Sequence, residues 1–218
     1  MKYAKKIEEG VMVSEGPKLS REKYMSRNEV NKLREAVRSK AIEDLQAGRE
    51  TWVRNWVVLD FALHTGLRVQ ELSDVQLKDL DLNIKEPTVF VIGKGRKSGT
   101  VYFDPKLIKH LQEYLDWRRK SLGEQLTPES YFFASKRGGK FATRSLQTIF
   151  KRCLEEAGLP VHYSIHACRH TFGTYLYEKT KDLRLVQKQL RHSSLSSTQI
   201  YADVTPENMV NGVNGLWE

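Results

Sequence analysis

Hydrophobic positions along this chain follow two periods. From Ser26 the period is helical. Val30, Leu33, Val37, Ala41 and Leu45 share one face, behind a Ser26-Arg-Asn-Glu29 capping-box pattern and ahead of Gly48. The next segment, Trp52 to His64, is apolar nearly all round, as a buried core helix is. Gly66 follows it as a residue suited to a left-handed cap. Between Leu77 and Phe103 the period changes to two. L-K-D-L-D-L alternates, T-V-F-V-I is rich in β-branched residues, and V-Y-F makes a third short run. That pattern predicts a small three-stranded antiparallel sheet. Asp104-Pro105 then opens a helix with Leu107, Ile108, Leu111 and Leu115 inward. Tyr131 to Ala134 form a short buried run. Ala142 or Thr143 opens a helix carrying Leu146, Ile149, Phe150, Cys153, Leu154 and Ala157, closed by Gly158. Helices resume at Ile165, and a last short one is expected from Pro206. The fold class predicted is α+β, mostly helical, over residues 26–218. Residues 1–25, with weak periodicity and Gly16-Pro17, are expected to be an arm or linker.

Composition narrows the class. The chain has 218 residues, 36 basic against 27 acidic, for a net charge of +9. Phosphate neutralisation is the commonest use of such an excess, so nucleic acid ranks ahead of a surface kept basic only for solubility. Cys153 and Cys168 both sit in helical patterns, which argues against a disulfide framework and fits a reducing compartment. The N-terminus has no apolar signal core, and no long apolar run is present, so neither a secretory signal nor a membrane span is expected.

Candidate chemistry gathers between His162 and Val204. His166 and Arg169 stand three apart and share a helical face. His192 follows in L-R-H-S-S, and Tyr201 comes nine residues later. Arg68 stands just past the Gly66 stop, with Glu71 three residues on. Lys94 sits among glycines in the hairpin tip G-K-G-R-K-S-G, where backbone can approach closely. Metal-free cleavage of a phosphodiester through a protein nucleophile has four needs. They are a nucleophile, cations around the nonbridging oxygens, an acid for the leaving oxygen, and a donor or base beside the nucleophile. Tyr201, the arginines, Lys94 and the histidines meet all four. Other chemistries fit less well. His166 and His170 have the i, i+4 spacing of zinc ligands, but Ala167 stands where H-E-x-x-H needs its glutamate and Arg169 would repel a cation. There is no G-x-S-x-G elbow for a serine hydrolase, and structural roles for the histidines stay open. The outer face Arg144, Lys151 and Arg152 suits either solvent or a DNA groove.

H-A-C-R-H-T-F-G-T, then L-R-H-S-S and I-Y, resembles the signature of the tyrosine recombinases, the phage integrase family. T-G-L-R-V-Q-E-L is similar to its first arginine motif and the lysine hairpin to its β-hairpin lysine, so the likeness runs from Ser26 to Val204. The resemblance implies a site-specific recombinase or integrase that cleaves and rejoins DNA through a 3′-phosphotyrosyl link. It implies no metal and no nucleotide cofactor. Tyr201 would attack, Arg68 and Arg169 would clamp the phosphate, and Lys94 would protonate the 5′ oxygen. His166 would act beside Tyr201, and His192 would hydrogen-bond the phosphate. Glu71 would position the first-arginine segment. Arg96, Lys97, Lys136, Arg137, Lys140, Thr143 and Arg144, in the two basic turns and the following helix start, are the expected DNA contacts.

Double-stranded DNA is the expected partner. On it the chain would form a homo-oligomer, a tetramer during recombination, with a free monomer left open. The implied setting is the cytoplasm and nucleoid of a bacterium, phage or mobile element. Two departures from the family pattern stand out. Arg191 replaces a glycine before His192, which leaves the end of that helix and the placement of His192 open. Residues 1–25 are too few to supply the family's usual N-terminal DNA-clamping domain, so the resemblance implies either a catalytic fragment or a compact one-domain member. A type IB topoisomerase-like relaxer and a non-catalytic DNA-binding regulator are the rival functions.

Overall fold

The computed structural model describes residues 20–201 except 94, 96, 97, 136 and 137. The expected Pro206 helix and the C-terminal Leu216-Trp217 lie outside the described residues. Of the expected arm, residues 20–25 are described. Met25 is fully buried, its N–H donates to Thr171 Oγ1 at 2.9 Å, and its carbonyl accepts from the Tyr175 hydroxyl. The end of that segment is therefore anchored on a later helix.

Helix α1 spans Arg27–Gln46. Its capping box is closed: Glu29 N donates to Ser26 Oγ at 3.2 Å, and Ser26 N donates to Glu29 Oε2 at 2.7 Å. Leu33, Val37 and Ala41 are buried as the period predicts, whereas Leu45, on the last turn, is 53% exposed. Helix α2, Thr51–Thr65, is packed on by α1 and by the later helices α4 (Lys106–Leu122), α5 (Thr143–Glu156) and α6 (His166–Thr180). That explains why it is apolar on nearly every face. Gly66 ends it with φ 61°, and its amide donates to Ala62 O at 3.1 Å.

A short helix α3, Val69–Asp74, leads to the sheet. Strands β1 (Leu80–Asp81), β2 (Thr88–Ile92) and β3 (Ser98–Tyr102) are antiparallel in the order β1-β2-β3. Val89 faces Val101, and both are buried. The alternating run 77–82 is only partly strand. Leu77–Asp79 form a 3-10 turn because the amides of Leu77 and Lys78 are drawn to the carbonyls of Ser130 and Pro128.

The main core centres on Phe61, whose ring lies 5.4–6.0 Å from those of Phe103, Phe132 and Phe133. Phe132 and Phe133 belong to the predicted buried run and are fully enclosed. Helix α5 buries every predicted apolar position from Leu146 to Ala157. Helix α7, Leu183–Leu190, and the single turn α8, Ser196–Gln199, form a smaller cluster on α6. There Val186, Leu190 and Tyr201 pack with Phe172, Leu176, Tyr177 and Ile200. Among the described residues, no helix is long and apolar enough to cross a membrane.

Candidate active site

Three chain reversals bring the polar residues together. The first follows α2. The left-handed Gly66 turns the chain so that Arg68 becomes the N-cap of α3. Glu71, one turn on, accepts from the Arg68 amide at 2.9 Å and from Arg68 Nη1 at 3.0 Å. The Glu71 side chain is 2% exposed and that of Arg68 is 40% exposed. A buried carboxylate thus orients a guanidinium whose free edge still reaches solvent.

The second is the start of α6. Arg169 is buried, and it donates to Gly66 O at 2.8 Å and to Leu190 O at 2.5 Å. These carbonyls lie at the C-terminal ends of α2 and α7, where backbone acceptors lack helical partners and the helix dipole is negative. A cation there completes both helix ends and keeps its remaining N–H groups for a ligand. Burial, then the charge of Arg68, pulls the Arg169 pKa down to about 10 against the opposing pull of Glu71, so it stays protonated at neutral pH.

The third reversal follows α7. Arg191 adopts the left-handed conformation, φ 55° and ψ 46°, that a glycine would take more easily. The helix therefore ends in a left-handed turn as the glycine-bearing pattern would, with His192 directly after it. A side chain in that conformation costs about 1 kcal/mol relative to glycine. The His192 amide donates to Gln187 O at 3.0 Å, and its Nδ1 lies 2.9 Å from the buried Thr198 hydroxyl. With Nδ1 engaged, Nε2 is left to point elsewhere.

Tyr201 closes the cluster. It is 6% exposed, its ring nearly parallel to that of His192 at 6.2 Å between centroids. Its hydroxyl lies 3.3 Å from His170 Nδ1. The ring rests on Gly173 of α6: a Cβ there would stand 2.8 Å from Tyr201 Cζ. Only glycine leaves room for this seat.

The electrostatics follow from burial and the two arginines. Burial, then Arg169 and Arg68, lowers the pKa of His166 and takes His192 down to about 4. Burial, Arg169 and His166 likewise hold His170 at about 4. All three imidazoles are neutral at pH 7 in the empty site. Burial raises the Tyr201 pKa, only partly offset by Arg169 and Arg68, so the phenol keeps its proton.

The fold thus gathers Arg68, Glu71, His166, Arg169, His192 and Tyr201. The Tyr201 hydroxyl, however, meets His170 rather than His166, which is exposed at the first turn of α6. Sequence reading weighed His170 only as a zinc ligand. The signal that could have found it is its i, i+4 spacing from His166, which puts it on the same face one turn further along the helix. Lys94, Arg96, Lys97, Lys136 and Arg137 lie outside the described residues. Lys140 pairs with Asp74 at 2.5 Å, while Thr143 and Arg144 open α5 half-buried and exposed respectively. Lys151 donates to the carbonyls of Val161 and Tyr163, so it pins the turn before α6 rather than lying on an open basic face. Among the described residues, no three His, Cys, Asp or Glu side chains group as metal ligands.

Comparison with known proteins agrees with this geometry. Residues 23–208 match the phage integrase family. Tyrosine recombinase XerC of Oceanobacillus iheyensis is 41% identical over 157 residues, covering 72% of this chain and 51% of the relative. XerC of Bacillus subtilis is 35% identical over 160 residues, covering 73% and 52%. The chain spans about half the length of the curated relatives it matches. Among solved structures, XerH site-specific recombinase bound to difH substrate in a pre-cleavage complex is similar with TM-score 0.75 at 26% identity, covering 92% of this chain and 55% of that one. XerA recombinase is similar with TM-score 0.67 at 26% identity, covering 90% and 66%. On sequence and fold together, the chain belongs to the phage integrase family of tyrosine recombinases.

Proposed function

We propose that this chain is the catalytic part of a site-specific DNA recombinase that works through Tyr201 without metal or nucleotide cofactor. The observation that carries the reading is the convergence of Arg68, Arg169, His192 and the Tyr201–His170 pair, from four chain segments, on one small polar cluster.

In the proposed step, Tyr201 Oη attacks the scissile phosphorus and the bond from phosphorus to the 5′ oxygen breaks. A 3′-phosphotyrosyl ester forms. The phenolic proton passes to His170, with His166 one turn away as a second donor near the nucleophile. Arg68 and Arg169 hold the nonbridging oxygens, where charge builds in the transition state. His192 donates to the same phosphate. Lys94 gives its proton to the departing 5′ oxygen. A second 5′-hydroxyl then reverses these steps and rejoins the strands. The ester keeps the bond energy, so no high-energy cofactor is consumed.

A phosphodiester also corrects the imidazoles. In the empty site, burial and then the charge of Arg169 hold His170 and His192 at about 4, with His166 adding to it at His170 and Arg68 at His192. An anion between the arginines cancels much of that repulsion and raises imidazole basicity when a base is required.

DNA as partner is supported by the similar XerH site-specific recombinase, whose structure holds its difH substrate, and by the charge of +9. Assembly as a tetramer on paired sites, and action on DNA in the bacterial cytoplasm, belong to the same reading. Residues 26–218 would form the catalytic domain, with Arg96, Lys97, Lys136, Arg137, Lys140, Thr143 and Arg144 on the DNA side. A nicked suicide duplex tests the chemistry. The wild type should give a covalent protein–DNA adduct on a denaturing gel, and Tyr201→Phe should give none. An adduct that persists in Tyr201→Phe, or wild type that binds the duplex without forming one, would defeat the reading.

A further inference from the structure

Arg191 occupies a backbone conformation that disfavours any side chain, yet its side chain is only 12% exposed. Strained residues of this kind persist where their surroundings hold them, as Glu71 and Gly99 do here. The Arg191 guanidinium lies 3.2 Å from Glu71 Oε1, the same oxygen that accepts from Arg68 Nη1 at 3.0 Å. Its stem lies flat on Gly99 of β3: a Cβ at position 99 would stand 3.1 Å from Arg191 Nε and 3.2 Å from its Cδ. Two residues earlier, the Gln189 amide grips the backbone of Tyr102 on the same strand. It accepts from Tyr102 N at 3.4 Å and donates to Tyr102 O. β3 is the outer strand of the sheet, so its otherwise open edge is stitched to the end of α7.

We propose that Arg191 is a positioning residue: it braces the β2–β3 hairpin against Glu71 and so holds Arg68, the hairpin and His192 in one frame. The proposal rests on the recombinase reading of the site. The hairpin carries Lys94 in sequence, Glu71 orients Arg68, and His192 is the next residue in the chain. One side chain therefore links segments that supply three of the groups around the phosphate. Sharing Glu71 between two guanidiniums also leaves the cluster with a positive charge that Arg68 and Glu71 alone would cancel.

Arg191→Gly separates this role from simple stabilisation, because glycine relieves the backbone while removing the brace. Single-turnover cleavage of the suicide duplex should slow by about 10–100-fold, the scale of a misplacement of about 1 Å. The thermal midpoint should stay level or rise, and Arg191→Lys should recover part of the rate. Gly99→Val, which pushes the Arg191 stem aside, should slow cleavage in the wild-type background but add nothing in Arg191→Gly. Wild-type cleavage by Arg191→Gly, or a slowdown matched by a fallen midpoint, would overturn the proposal. A readout independent of chemistry is amide hydrogen exchange. Residues 98–103 and 68–71 should exchange faster in Arg191→Gly, and unchanged exchange there removes the brace even if the wild type cleaves DNA. A wild type that forms no adduct, with exchange altered as expected, would instead count against the recombinase reading alone.

Discussion

Replacing Arg169 by alanine takes away a buried guanidinium that completes the ends of α2 and α7. The hydrogen bonds to Gly66 O and Leu190 O come from a charged donor, and each is worth about 1.5–3 kcal/mol. The cation also meets two negative helix poles, worth about 0.3–1 kcal/mol each. Against these stands the desolvation of the guanidinium, which alanine does not suffer. The net loss is on the order of 3–5 kcal/mol, because two carbonyls at helix ends are left without a donor at about 1–3 kcal/mol each. At a urea slope of about 2–3 kcal/mol per molar, the unfolding midpoint should fall by about 1–2 M. Arg169→Lys keeps the charge, but a single ammonium reaches one carbonyl, so roughly half of that shift is expected. Both variants should lose cleavage activity, so activity alone does not distinguish a clamp from a ligand to phosphate; the denaturation curve does. An alanine variant whose midpoint stays within about 0.3 M of wild type would show that the two helix ends do not depend on Arg169.

Gly173→Ala places a methyl group 2.8 Å from Tyr201 Cζ and 2.9 Å from Leu190 Cδ1. Overpacking of about 1–3 kcal/mol should fall on the tyrosine seat, while α6 gains helix propensity of up to about 1 kcal/mol. Nitration of Tyr201, followed by peptide mass spectrometry, should accelerate with little change in thermal midpoint. A tyrosine as protected as in wild type would contradict the seat. Asp60 gives a pH prediction. It is 3% exposed, and burial alone would raise its pKa. Hydrogen bonds from His110 and His64, with the charges of His64 and Arg34, outweigh burial and hold it well below the usual carboxylate range. The same network raises His64, where burial is outweighed by the hydrogen bond and charge of Asp60. The lowered carboxyl contributes stability that is lost as pH falls below about 4, and the raised imidazole contributes stability that fades as pH climbs above about 6.5. The difference in urea midpoint between wild type and Asp60→Asn should therefore be widest between these limits. A difference that is flat with pH would rule out the network as its source.

Much of this protein is local and was readable from the chain. The Ser26–Glu29 capping box, the left-handed glycines at 48, 66 and 158, and the inward stripe of α5 depend on neighbours within one or two turns. The three strands follow from alternation and β-branched residues, and the family motifs from short spacings. Their rules need no knowledge of distant segments. The strand at 80–81 came out shorter than the alternation implied, because the backbone of 77–79 bonds instead to the 128–130 turn.

Partnership across the fold was decided only in three dimensions. That Tyr201 meets His170, 31 positions away, and that Arg169 reaches back 103 positions to Gly66, depends on how α6 sits between α2 and α7. The burial of Asp60 and Arg118 is of the same kind. Both are enclosed because partners arrive from other elements: His110 for one, and Glu124 with the carbonyls of Tyr131 and Phe132 for the other. Arg191 is the clearest case. By itself it is an unfavourable residue for a left-handed turn, and what holds it is a carboxylate and a bare strand that only the folded chain brings within reach. Local spacing sets which groups are available. Long-range packing sets which of them meet, because burial makes an unpaired charge too costly to leave alone.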